Sequence, residues 1–166
     1  MNDIDEFVNC GEKNVKREKA VLVGHVSYYV FDKKNGLEFF RRFHNTIMLK
    51  GKDSILNYLG NLSGGGYFYQ IGAGDNDTAV TSTQEDLQAS VNKLWKTIAS
   101  SNRIYVRPTL TINVTFDFSE ANYTWKEFGL RDSQSSTVMV ARQIDTSPFF
   151  TKTSTKAAVV QWEVSM

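Results

Sequence analysis

Residues 109–118 read Thr-Leu-Thr-Ile-Asn-Val-Thr-Phe-Asp-Phe, and the fold follows from them: Leu110, Ile112, Val114, Phe116 and Phe118 alternate strictly with Thr111, Asn113, Thr115 and Asp117. A period of two places one set of side chains in a core and the other in water, as in a strand of an antiparallel sheet solvated on one face. The last residues repeat the pattern, with Ala158, Val160, Trp162, Val164 and Met166 on one side and Gln161, Glu163 and Ser165 on the other. The chain is therefore expected to end inside its own sheet.

Working outward, residues 21–31 form an apolar, β-branched and aromatic run, interrupted by Gly24 and His25 and closed by Asp32, Lys33, Lys34, Asn35 and Gly36. Asn-Gly readily takes the positive φ angles of a hairpin turn, so 37–43 is the returning strand. Within 47–62, Leu49, Ile55, Leu56, Leu59 and Leu62 fall at roughly helical spacing, with Asp53 and Ser54 near the start as capping groups. A glycine hinge at 63–66 feeds a strand at 67–73, followed by a polar, turn-rich loop at 74–86. Residues 87–98 suit helix or strand, with strand favoured in the second half, and 127–131 and 137–145 read as strands.

Seven or eight strands at this spacing predict a mainly β fold: an antiparallel β-sandwich, jelly-roll-like, or a barrel, with one short helix inserted. A chain of 166 residues closes one core rather than two. Residues 21–166 are expected to form that single domain, and the charged residues 1–20 an N-terminal arm that contacts a partner.

Composition excludes several classes of function. With 41% hydrophobic and 22% charged residues the chain is neither disordered nor fibrous. A net charge of +1 provides no global field for nucleic acid or anionic membrane. The single cysteine, Cys10, permits no internal disulfide. No run approaches the roughly 20 apolar residues of a membrane-spanning helix. Residues 1–11 carry Asp3, Asp5 and Glu6 without an apolar stretch, the reverse of a secretory leader, so assembly in a cytoplasm is expected.

Each constellation with chemical potential also has a plainer reading. His25 and His44 are the only imidazoles and sit in no nucleophile motif, which favours structural roles. Asp75, Asp77, Glu85 and Asp86 offer oxygens to calcium, but the loop lacks the spacing of a helix-loop-helix site and suits a solvated turn. Gly64 to Gly66, Gly72 and Gly74 are glycines of backbone need rather than a phosphate cradle, since no hydroxyl residue follows Lys52.

Phe39, Phe40, Arg41, Arg42 and Phe43, with Arg103, Tyr105 and Arg107, resemble the basic-aromatic mix on which single-stranded nucleic acid stacks, a reading that the neutral charge weakens. Asp117, Glu120 and Glu127 would need a shared cleft to act as a glycosidase pair. No catalytic, cofactor-binding or metal-binding residue is expected, and the chain is read as a non-enzyme.

Four fragments carry a family resemblance: His44-Asn45-Thr46-Ile47 with Gly51; Ile71-Gly72-Ala73-Gly74; Glu120-Ala121-Asn122 followed by Glu127-Phe128-Gly129-Leu130; and Val160-Gln161-Trp162-Glu163-Val164. In this order they resemble small bacteriophage virion structural proteins of the tail-fibre or tail-associated type, across roughly residues 21–166. The resemblance implies a virion component of the tail, tail fibre or baseplate, assembled in the host cytoplasm and contacting other virion proteins in a homo-oligomer or symmetric array. A capsid decoration or head-tail connector component, and a module recognising a host-surface glycan or receptor, are the alternatives. It implies no catalytic residues.

Overall fold

The computed structural model describes residues 23–59, 68–132, 138–146 and 149–165. The expected arm at 1–20, Cys10, Asn61 and the glycine hinge at 63–66 lie outside the described residues.

Alternation closes two antiparallel five-stranded sheets. The first has the order β2 (Gly36–His44), β1 (Val23–Asp32), β12 (Lys156–Ser165), β7 (Thr109–Phe116) and β6 (Arg103–Val106). The second has the order β3 (Thr46–Ile47), β10 (Met139–Ile144), β9 (Glu127–Asp132), β4 (Phe68–Gly74) and β5 (Lys93–Thr97). A short ribbon pairs β11 (Phe150–Thr151) with β8 (Thr124–Trp125). Among the described residues each large sheet is open at both ends of its strand order, so the fold is a sandwich and not a closed barrel.

The decisive alternation behaves as read. Ile112, Val114 and Phe116 are buried, as are their β12 partners Trp162, Val160 and Ala158 and the β1 residues Val26, Tyr28 and Val30. Ile71, Ala73, Phe128, Leu130 and Ala141 of the second sheet close the core from the other side. Trp125 packs edge-on against Phe116, Phe128 and Phe150 at 5.1, 5.8 and 5.8 Å, and its Nε1 donates to Ala121 O at 2.9 Å. Each such ring pair adds about 0.5–1.5 kcal/mol beyond the area it buries.

The β1–β2 hairpin turns as expected: Gly36 has φ +77°, and Asp32 Oδ1 accepts from the amides of Lys34 and Asn35 at 2.9 and 3.1 Å. Asn45 alone then separates β2 from β3, so the chain changes sheet there. Its amide donates to Gly24 O at 3.1 Å, and a Cβ at Gly24 would lie 2.0 Å from the Asn45 side chain, which explains the glycine in β1.

The helix α1 (Leu49–Leu59) departs from the expected capping. Asp53 and Ser54 lie inside it, because tertiary acceptors replace a local cap: the Met48 and Leu49 amides donate to Val140 O and Ser82 O at 2.8 and 3.0 Å. Ser54 Oγ donates instead to buried Asp132. Gly51 packs on the β10 backbone, where a Cβ would approach Val140 O to 2.3 Å. Strand β5 falls in the second half of 87–98, as expected.

Candidate interaction surface

The two outer faces of the sandwich differ, and the difference begins with glycine. On the outer face of the second sheet Gly72 and Gly129 are cross-strand neighbours, and Trp95 lies over both; an added Cβ would come within 2.7 and 2.5 Å of its ring. Arg131 stacks on that ring with its guanidinium carbon 3.9 Å from the centroid. The segment 75–92 folds over this layer and inserts Leu87 and Ala89, each 2% exposed.

Buried charge holds the segment down. Glu127 on β9 and Arg142 on β10 are fully buried, with Arg142 Nε donating to Glu127 Oε2 at 2.7 Å. Glu127 also accepts from the amides of Gln88 and Ala89 at 3.0 and 2.7 Å. Arg142 Nη1 reaches Thr78 O and Gln84 Oε1 at 2.9 and 3.0 Å. Asp86 takes Arg131 at 2.5 Å, Lys93 at 2.9 Å and Trp95 Nε1 at 3.2 Å.

The loop expected at 74–86 stays largely exposed from Asp75 to Asp86, as a solvated turn would, but it is tied to the sheet by side-chain contacts. Its acids face separate partners: Asp75 accepts from Asn92 Nδ2 at 2.7 Å, Asp77 from Lys126 at 3.4 Å, and Glu85 from Lys50 at 2.6 Å. Among the described residues no group of three or more His, Cys, Asp or Glu is placed to hold a metal ion.

Among the described residues, no segment folds over the outer face of the first sheet. Cross-strand register lines up His44, His25, Glu163 and Thr111 in one row, Arg42, Ser27, Gln161 and Asn113 in the next, and Phe40, Tyr29, Val159 and Thr115 in a third. At the hairpin end Leu37, Phe40 and Phe31 are 58%, 51% and 36% exposed, and Phe40 stacks on Tyr29 at 5.2 Å. At the opposite edge, Ile104, Tyr105 and Val106 of β6 are 51%, 64% and 69% exposed. Among the described residues, strand β6 pairs only with β7, and no described strand lies along its other backbone edge.

The basic-aromatic stretch 39–43 is divided by its own alternation. Phe39 and Phe43 turn inward against Tyr28, at 5.8 and 6.3 Å, while Phe40 and Arg42 turn outward. Arg41 also turns inward, to Asp145 at 2.9 Å, where Tyr28 Oη donates at 2.7 Å; burial and that carboxylate push the Tyr28 phenol up. Arg103 donates to Phe68 O at 3.1 Å, whereas Tyr105 and Arg107 stay exposed at the far edge. Strands β2 and β6 are four positions apart in the sheet, roughly 19 Å at strand spacing. No continuous stacking groove joins them.

His25 and His44 meet across β1 and β2, with ring centroids 4.3 Å apart. Burial, then the charges of Arg42 and His44, hold the His25 imidazole below its ordinary value against the pull of Glu163. Asp117, Glu120 and Glu127 do not share a cleft. Glu120 binds Lys96 Nζ at 2.6 Å and the Asp117 amide at 2.8 Å, while Glu127 is held by Arg142.

Sequence reading missed the Glu127–Arg142 pair and the apolar edge at β6. The pair's one local signal is Gly129, whose lack of a side chain admits Trp95 and the covering segment. Together these features define an antiparallel β-sandwich with one outer face covered and the other uncovered by the described residues. No family model matches the sequence, and neither a curated protein nor a solved structure matches the chain.

Proposed function

We propose that this chain is a rigid building block that works by subunit–subunit assembly, as a structural component of a bacteriophage virion in the tail or its adsorption apparatus. The observation that carries the assembly reading is the first sheet, which no described segment covers, with apolar side chains exposed at both edges and no described strand outside β6. Unpaired apolar edges invite other chains, and proteins that work as monomers blunt them.

The virion assignment rests on the four sequence fragments. They fall on the junction of β2 and β3 with Gly51 in α1, the C-terminal half of β4, the turn before β8 together with β9, and the C-terminal half of β12, so the resemblance concerns residues that build the sandwich. A glycan-binding module would present aromatic rings from a loop, whereas residues 75–92 contain none and the exposed rings lie on strands. Capsid decoration or head-tail connection would use the same surfaces with different partners.

The test is light scattering after gel filtration on the full chain, with Ile104→Lys and Leu37→Lys as surface variants, followed by localisation of the labelled chain in particles. An oligomer that either variant dissolves without loss of β structure is expected. A wild-type monomer that stays out of particles would overturn the reading.

A further inference from the structure

Lys152 is 1% exposed, and among the described residues no carboxylate lies within salt-bridge distance of its Nζ. Nζ donates instead to two carbonyl oxygens, Asp117 O at 2.6 Å and Asn122 Oδ1 at 3.0 Å. A buried lysine with neutral acceptors is expensive as a cation, and burial holds its ammonium below the ordinary value. The charges of Glu120 and Asp117 oppose that push. The amine form of a lysine is a nucleophile, and the group beside this one is a carboxamide.

The backbone presents these two side chains to each other. The ribbon sets Thr151 against Thr124, and the Lys152 amide donates to Tyr123 O at 3.1 Å, which brings Lys152 alongside Asn122. The turn at 117–123 is tied by Glu120 N to Asp117 O at 3.0 Å and by Tyr123 N to Ala121 O at 2.9 Å, with Ala121 at φ +49°. A non-glycine residue held in that region marks a turn over-determined by its surroundings. Asn122 Nδ2 donates to Phe118 O at 3.0 Å, so both ends of the carboxamide are fixed. Glu120 engages the N–H of Asp117, at 2.8 Å, whose carbonyl Lys152 engages, and its charge acts on Nζ.

We infer that Lys152 and Asn122 are the partners of an intramolecular isopeptide bond that welds the ribbon segment before β12 to the turn before β8. Nζ attacks Asn122 Cγ, the Nζ–Cγ bond forms and the Cγ–Nδ2 bond breaks. One Nζ proton is transferred to Nδ2, which departs as ammonia. Nothing is oxidised or reduced, and no co-reactant is consumed. Asn122 lies at the surface, so the ammonia has an open exit. The bond spans 30 residues of chain and would carry load between the two elements independently of oligomeric state.

Intact-mass spectrometry of the unfolded full chain tests this. The expected mass is one ammonia below that of the sequence, and trypsin is expected to release residues 104–126 joined to residues 143–156, uncut at Lys152. Asn122→Ala, a surface change that circular dichroism should show to be folded, is expected at its full sequence mass with cleavage restored at Lys152. A folded wild-type chain at full sequence mass overturns the bond itself, and so does ammonia loss without the joined peptides, which marks ring closure at an asparagine.

Discussion

Glu127→Gln keeps the volume of the side chain and one acceptor oxygen but removes the anion from a fully buried pair. Arg142 is then a cation in the interior, with Thr78 O and Gln84 Oε1 as neutral acceptors. Breaking a buried pair from one side costs about 3–5 kcal/mol. Against a total stability of about 5–15 kcal/mol for a domain, that is a large fraction. The loss also has a location, because the same carboxylate holds the amides of Gln88 and Ala89. Urea unfolding should show the drop, and native-state hydrogen exchange should show those two amides released first. Arg142→Met in the same background should restore part of the stability, with a coupling of roughly 1–3 kcal/mol between the sites. A single variant within about 0.5 kcal/mol of wild type, the range of surface changes, would refute the account. Strict additivity of the two changes would refute it equally.

Trp162→Ala removes a fully buried ring and should destabilise by about 3–5 kcal/mol, whereas Leu110→Ala, only half-buried at the sheet end, should lose less; equal losses in urea titrations would contradict this ranking. Gly129→Ala places a methyl 2.5 Å from the Trp95 ring, so Trp95 fluorescence should shift and stability fall by about 1–3 kcal/mol; an unchanged midpoint and spectrum would show that the layer has slack. His25 has a folded-state value below its ordinary 6.5, so the unfolded chain binds more protons in that window and stability falls as the pH drops below 6.5. Glu120 and Asp32, both held low, lose their contributions only from 4.5 and 3.8 downward, so His25→Asn should flatten the profile near pH 6 and leave the acid limb in place; an unaltered slope near pH 6 would refute the assignment.

The strands were legible where one face meets the core and the other meets water. Strands β7 and β12 satisfy that condition along most of their length, and the Asn-Gly turn has a local requirement that Gly36 meets. Strand β9 was found by its apolar residues, but Glu127 in it is buried, because its second face is covered by segment 75–92. Local pattern cannot distinguish a buried acid from a solvated one when the group that neutralises it is 15 residues away. The helix cap failed for the same reason: its acceptors are Val140 O and Ser82 O, distant in sequence, so Asp53 and Ser54 were free for other work. Strand β6 was overlooked because Ile104, Tyr105 and Val106 show no alternation; an edge strand with both faces exposed has no core to impose one.

That last case joins fold to function. A sheet of the second kind, with tryptophan, arginine and a folded segment laid over two glycines, has its outer face occupied by its own chain. The first sheet has no such cover among the described residues, and its polar rows are flanked on both sides by apolar residues that the core does not use. If exposure there were only a surface deficit, lysine or glutamate at 37, 40, 104 and 106 would cost the sandwich nothing, since none of these side chains packs inside it. Under the proposed assembly function, the apolar residues at those positions are the contacts offered to a partner, and the face left uncovered by the described residues is the side from which it would approach.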